Sequence, residues 1–437
     1  QLRFFCADHT LDILCFPDWE TLPYDSFSPH QDIISERLQT LHRLPDLKKG
    51  ILLVPVATLL QRLPPPGFLD QYSLMLDTGS TLDLDAMRVR LEKAGYRCVS
   101  QVMEHGEFAV RGSLLDLFPM GAQVPFRIDL FDDEIESIRT FDPDNQRSLE
   151  KVDQVRLLPA HEFPVDEAAI TRFRQAYRSV FEGDPQRSLI YRDVSNGLIP
   201  NGIEYYLPLF LEHTASLFDY LHHAACLVES EDARAAMEQF RDDVAERYES
   251  LQHNIERPLL PPEQLYLSES ETRAATTAYA RIELQRAEAI AGDNQAISFA
   301  TRALPDLRVK ARAERPAGAL QDFLAAFNGR TLVCAESAGR RETLIGQLRE
   351  FGLRPRVVDD WQDFLASDAP VTITVAPLEL GAWLDVDPAL AIITEPRLFG
   401  ERALQQRRRR PKRDADVIIR NLTDLSVGAP VVHEDHG

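Results

Sequence analysis

Between Arg111 and Pro143 the chain reads RGSLLDLFPMGAQVPFRIDLFDDEIESIRTFDP, a run that admits strands joined by tight turns and little else. Side chains alternate across a strand, so Ile128 and Leu130 share one face while Arg127, Asp129 and Phe131 share the other. The first pair can pack on a core. The second sets an aromatic ring among opposite charges on what should be the wet face, and aromatic plus Arg is the composition of interface hot spots. Gly112, directly after Arg111, suggests a bulge that re-aims the arginine outward. The acidic triplet Asp132, Asp133 and Glu134 lies between two strand-like runs and reads as a hairpin turn rather than a metal ligand set. The expected result is one exposed docking patch of Arg111, Arg127, Asp129 and Phe131. The bland alternative, with Phe131 in a second small core, is tested by its exposure.

At 437 residues one hydrophobic core is too few, and about three domains are expected. Residues 1–73 alternate strand and helix signals: Leu11–Phe16 and Ile51–Val54 as strands, and Ile33–Leu44 as a helix that Ser28 or Asp32 could cap. After Pro64, Pro65, Pro66 and Gly67, residues 74–158 have their own turn chemistry and read as an insertion that opens with a capped helix ending at Gly95. Residues 159–308 return to mixed elements, with a strand at Ala224–Val228 and a long helix at Glu231–Leu251. Residues 309–424 read as a separate α/β unit. Its strands are Arg330–Cys334, Arg354–Val358, Val371–Val375 and Ala389–Ile393, spaced for a mainly parallel sheet.

Composition narrows the chemistry. A net charge of −21 opposes a broad nucleic-acid surface and makes a protein partner the better expectation. The basic run Arg407–Arg413 reads either as a solvated loop or as a phosphate contact, without interleaved aromatics to stack on bases. No Gly-Lys pair occurs, so a phosphate-cradling P-loop is not encoded within these residues. Five scattered cysteines without CxxC spacing fit reduced thiols and a cytoplasmic setting rather than zinc or disulfides. The pairs His222–His223 and His433/His436 lack ligand spacing, and the loop opening at Asp142 lacks the glycine and glutamate of a Ca²⁺ loop. No catalytic residue, metal or cofactor is expected. The longest nearly apolar run, Ile51–Leu60, is too short to span a bilayer, so no membrane association is expected. The chain opens at Gln1 and closes just after an apolar run, and reads as part of something longer.

Several long segments carry a family resemblance: DWETLPYDSFSPHQDIISERL (18–38), QVMEHGEFAVRGSLLDLFPMG (101–121), LFDDEI (130–135), LLPAHEFP (157–164), GIEYYLPLF (202–210) and PVVHEDHG (430–437). They resemble the N-terminal part of the bacterial transcription-repair coupling factors, with weaker similarity to the excision-repair helicase UvrB over the first 300 or so residues. The resemblance implies a multidomain α/β chain: a degenerate RecA-like helicase domain, split by an inserted α+β domain that docks UvrA, then a small separate α/β domain. Residues 425–437 would lead into a missing polymerase-interacting domain. It further implies that RNA polymerase and DNA are reached only through missing domains, and that the missing motor and C-terminal domain cover the docking face. The whole protein would then be an ATP-dependent DNA translocase.

Departures from UvrB decide whether this part is itself an enzyme. Where UvrB carries Asp-Glu-Ser-His, this chain reads Val228-Glu229-Ser230-Glu231, and Ser230 cannot replace a carboxylate base. Too little chain lies between Pro29 and Ile51 for UvrB's DNA-gripping hairpin. The expected role is a non-catalytic adaptor, with a UvrB-like damage-DNA helicase as the alternative. In the docking motif Arg111 matches the second arginine of UvrB's FRVRG, here FAVRG, while Arg127, Asp129 and Phe131 match positions of its RVEFF. Glu104 and His105 stand where UvrB has further basic residues, so the contact is expected to be less basic.

Overall fold

The computed structural model describes residues 1–6, 11–287, 296–310 and 312–400. The run Arg407–Arg413, the pair His433/His436 and the segment 425–437 lie outside the described residues. The chain is a mixed α/β protein whose contacts divide it into two units, Asp8–Ala296 and Gln1–Ala7 with Ile297–Gly437.

In the larger unit, β1 (Asp12–Cys15) pairs in parallel with β2 (Gly50–Leu53). A helix over Gln31–Arg43 connects them, as its apolar spacing predicts. Its cap differs from both expected residues: the His30 ring accepts from the Asp32 amide. Ser28 is committed elsewhere, its hydroxyl donating to Glu204 and accepting from the Gly202 amide. Next, β3 (Leu74–Asp77) precedes the helix Leu84–Lys93, where the Asp83 carboxylate caps two amides and left-handed Gly95 ends the turn.

A six-stranded sheet follows, in spatial order β4 (Arg97–Cys98), β5 (Glu107–Arg111), β6 (Leu114–Phe118), β7 (Phe126–Phe131), β8 (Glu134–Phe141) and β9 (Ser148–Val152). All neighbours are antiparallel except β4 and β5. Its inner face sends Phe108, Leu115, Leu117, Ile128, Leu130 and Ile138 into one apolar cluster with Leu38, Phe163 and Tyr206. The sheet therefore shares a core with the segments before and after it. β10 (Gln154–Leu157) returns antiparallel to β3, so the excursion ends beside the strand where it began. Farther on, β11 (Cys226–Ser230) pairs in parallel with β12 (Ala280–Leu284), with the helix Ala233–Leu251 between them.

The smaller unit is built on a second six-stranded sheet. β13 (Thr301–Arg302), β14 (Gly329–Ala335), β15 (Arg356–Val357), β16 (Val371–Val375), β17 (Ala382–Leu384) and β18 (Ala389–Thr394) stand in the order β13-β17-β18-β14-β16-β15. The four strands expected from the sequence form its parallel part, with the short β15 at one edge. The antiparallel edge, β17 and β13, was not foreseen, because strands of two or three residues give no periodic signal. That edge draws the unit's start back to Ile297, with Leu304 and Leu307 already in its core. The first residues also belong here, not with the segment that follows them: Phe4 and Phe5 pack edge-on against Trp361, with centroids 6.1 and 5.1 Å away.

One buried ion pair joins the segments that flank the first sheet. Arg37, fully buried on the helix Gln31–Arg43, grips Glu162 with a bidentate fork, its Nη2 donating at 3.1 Å and its Nε making a shorter bond. Its Nη1 donates to the Pro17 carbonyl at 2.9 Å, and the guanidinium lies over Phe16. Removing one partner of such a pair leaves an uncompensated charge in the core. Glu162→Ala should therefore lower the unfolding free energy of this unit by about 3–5 kcal/mol in urea denaturation.

A second buried carboxyl behaves differently. Glu204 accepts from its own backbone amide and from the Ser28 hydroxyl, yet burial outweighs both and pushes its pKa up to about 7 from 4.5. Between those values the folded protein keeps a proton that the unfolded chain releases. Stability is thus lost as pH rises through that window, and Glu204→Gln should flatten the loss when melting temperature is followed from pH 4.5 to 7.

Candidate functional site

The outer face of the first sheet carries the four residues singled out in the sequence. β5 and β6 are joined by the two-residue turn Gly112–Ser113, with Arg111 directly opposite Leu114. Gly112 is therefore a left-handed turn residue, φ +62°, and not the bulge the sequence suggested. β7 and β8 are closed by Asp132–Asp133, with Asp132 also left-handed, so the acidic triplet is the hairpin turn it was expected to be. A bulge does occur, on β8 where Glu136 is passed over between Asp129 and Leu130 of β7.

Phe131 is 70 % exposed and lies outside the small outer-face core, which consists of Val102, Ala109, Phe118 and Phe141. Arg111 is half exposed. Arg127 is not: its side chain is only 20 % accessible. Its Nε and Nη2 donate to the two oxygens of Asp116 at 2.7 and 2.9 Å, its guanidinium lies 4.9 Å from the Phe141 ring centre, and Nη1 donates to the Gln146 carbonyl at 3.2 Å. Asp129 is half-buried, opposite Leu114 and Ser137. The four residues share a face, but they are not equally free.

Asp116 is the residue that sequence reading missed. It sits on β6 between Ala109 and Arg127, 1 % exposed, and takes both arginines at once: Arg127 bidentately and Arg111 through a short bond to Oδ2. The small side chain of Ala109 leaves room for this. An Asp at the centre of LLDLF was the available signal, since an acid there must find a cation or lose stability. The Asp116 hydrogen bonds raise the Arg127 pKa further, so its charge is fixed over any physiological range.

The other end of β5 is braced by Glu107, whose carboxylate accepts from the Met103 and Glu104 amides at 2.9 Å and pairs with Arg97 at 3.0 Å. His105 is equally committed. It stacks on Phe118, contacts the Ala122 carbonyl through Nε2, and pairs through Nδ1 with Asp32 at 2.7 Å, which holds the Asp32 carboxyl below its usual range. Glu104 lies 3.6 Å from Arg97. Among the described residues no group of three metal-ligating side chains comes together, and no helix is long and apolar enough to cross a membrane.

A polar, arginine-pinned sheet face with an exposed aromatic at its rim has the composition found at protein interfaces. Residues 74–163, which contain all of it, match the UvrB interaction domain family, and residues 323–398 match the MFD D3 domain. Along almost its whole length the chain is similar to proteins named transcription-repair-coupling factor. Identity is 44 % over 98 % of the chain with that of Haemophilus influenzae, and 44 % over 97 % with that of Escherichia coli K12. With that of Bacillus subtilis it is 25 % over 97 %. The chain belongs to this family and forms its UvrB-homology region, spanning 37 % of the length of these relatives.

Because Asp116 is sealed beneath Arg111 and Arg127, Asp116→Ala should leave two crowded, partly solvated guanidinium groups and cost about 1.5–3 kcal/mol, seen as an earlier urea midpoint. Arg127→Glu should destabilise as well, since it would place a carboxylate against Asp116.

Proposed function

We propose that this chain is a non-catalytic adaptor: its outer sheet face docks UvrA and so brings nucleotide excision repair to stalled RNA polymerase. The observation that carries the reading is the coincidence of the UvrB interaction domain match with the face built by Arg111, Arg127, Asp129 and Phe131. In this reading Phe131 is the apolar anchor, Arg111 the accessible charge, and Arg127 mainly the strut that holds Arg111 and Asp116 in place. Asp129 offers an acceptor beside them. In the whole protein, the remaining domains supply contacts to RNA polymerase and DNA and the ATP-dependent translocation. They also cover this face until the motor engages.

The surrounding unit is read as a reduced RecA-like domain split by the inserted sheet. Two parallel strand pairs, β1 with β2 and β11 with β12, and the return of β10 to β3 support that reading. The residues Val228-Glu229-Ser230-Glu231 fall at the C-terminal end of β11. Position for position against Asp-Glu-Ser-His, Val228 takes the place of the Mg²⁺-binding aspartate, while Glu229, and not Ser230, stands at the position of the base. The loss that supports a non-catalytic reading is therefore the metal-binding acid. The residue range of the inserted domain, 74–158, and its separation from a domain at 309–424 are part of the same proposal.

Phe131→Ala should weaken binding of UvrA by about 2 kcal/mol or more while leaving the fold intact, as truncation of an exposed anchor does. Isothermal titration of UvrA into the wild type and the variant measures it. Equal affinities would place the contact elsewhere, and measurable ATP turnover by this chain would favour the helicase alternative.

A further inference from the structure

The outer face does not stop at Arg127. Strand register carries it onward: Asp116 is opposite Arg127, Arg127 opposite Arg139, and Arg139 opposite Lys151. Directly opposed residues in an antiparallel sheet point to the same side. One row therefore crosses β6 to β9 and presents three successive cations, with Arg111 a single row away. Neighbouring strands lie about 4.8 Å apart, so the three cations occupy roughly 10 Å.

Arg139 and Lys151 are exposed, and neither makes an ion pair among the described residues. Like charges directly opposite across strands destabilise a sheet. In a protein of net charge −21, with acids in surplus, Arg139 and Lys151 directly opposed on a solvent face beside Arg127 have no internal rationale. Asp116 offsets Arg127, but the carboxylates nearest along the face do not offset Arg139 and Lys151. Asp116 is consumed by Arg111 and Arg127, Asp129 belongs to the next row, Glu134 pairs with Phe131 at the turn, and Glu136 and Glu150 sit at bulges.

We infer that Arg139 and Lys151 extend the docking face into a basic stripe that receives a cluster of carboxylates on the protein partner. This rests on the proposed docking of UvrA and adds the chemistry of the partner's surface. Phe131 anchors one end, while the stripe steers approach from the other and fixes orientation. Charges at such a rim act on association rate and salt dependence more than on the final affinity. A nucleic-acid occupant is the lesser fit: the stripe is short, and the net negative charge of the chain repels a polyanion over longer range.

The test is surface plasmon resonance of UvrA with wild type, Phe131→Ala and the double variant Arg139→Glu/Lys151→Glu, at low and high salt. The double variant should associate about tenfold more slowly at low salt, with a flatter salt dependence and a nearly unchanged dissociation rate. Single Lys151→Glu, which puts opposite charges face to face, should raise the melting temperature slightly while slowing association. A structural role for these cations would give the reverse. If wild type binds, Phe131→Ala weakens it and the double variant associates normally, the stripe is overturned and the docking reading stands. If wild type fails to bind UvrA, both are overturned. If the same variants instead abolish binding of duplex DNA and spare UvrA, the carboxylate partner is overturned in favour of phosphate.

Discussion

A carboxylate sealed from water beneath two guanidinium groups governs the outer face of the inserted sheet. Asp116 is tolerable at the centre of a sheet only because Arg127 meets it with a two-pronged fork and Arg111 closes it from the other strand. That requirement aligns three strands and fixes the height at which Arg111 emerges. It also turns Arg127 from a free contact group into a support. The aromatic that follows, Phe131, has no such partner and remains in solvent at the turn.

The same device recurs deeper in the unit. Arg37 and Glu162 come from either side of the inserted sheet, and their pairing closes the chain around it. With β10 returning to β3 and one continuous apolar cluster beneath, the sheet is not a loosely tethered appendage. If this face docks a partner as proposed, it loses little freedom on binding when mounted in this way, which favours affinity from few contacts. The surplus of negative charge elsewhere makes the cations of this face locally distinctive.

Much of the architecture was legible in advance, for definite reasons. The strand Arg127–Phe131 alternates strictly, so its faces could be separated. Helices at 31–43 and 84–93 carry apolar spacing, and three strands of the smaller unit are largely apolar, β-branched runs. What escaped was non-local. The sequence cannot say that Phe4 and Phe5 meet Trp361, more than 350 residues on, or that Arg37 meets Glu162. The two-residue strand Thr301–Arg302 exists only because Trp383 and Leu384 lie beside it.

The proposed docking site divides in the same way. Residue order alone determined which side chains share the outer face, because strand alternation is a local property of the backbone. It also determined the turn at Asp132–Asp133. Tertiary structure decided their availability: Phe131 free, Arg111 half free, Arg127 tied down and His105 fully engaged. It decided the line of Arg127, Arg139 and Lys151 as well, since cross-strand register depends on turns and bulges distributed over the whole sheet. Local alternation assigns a face, and only the pairing of strands assigns the neighbours on it.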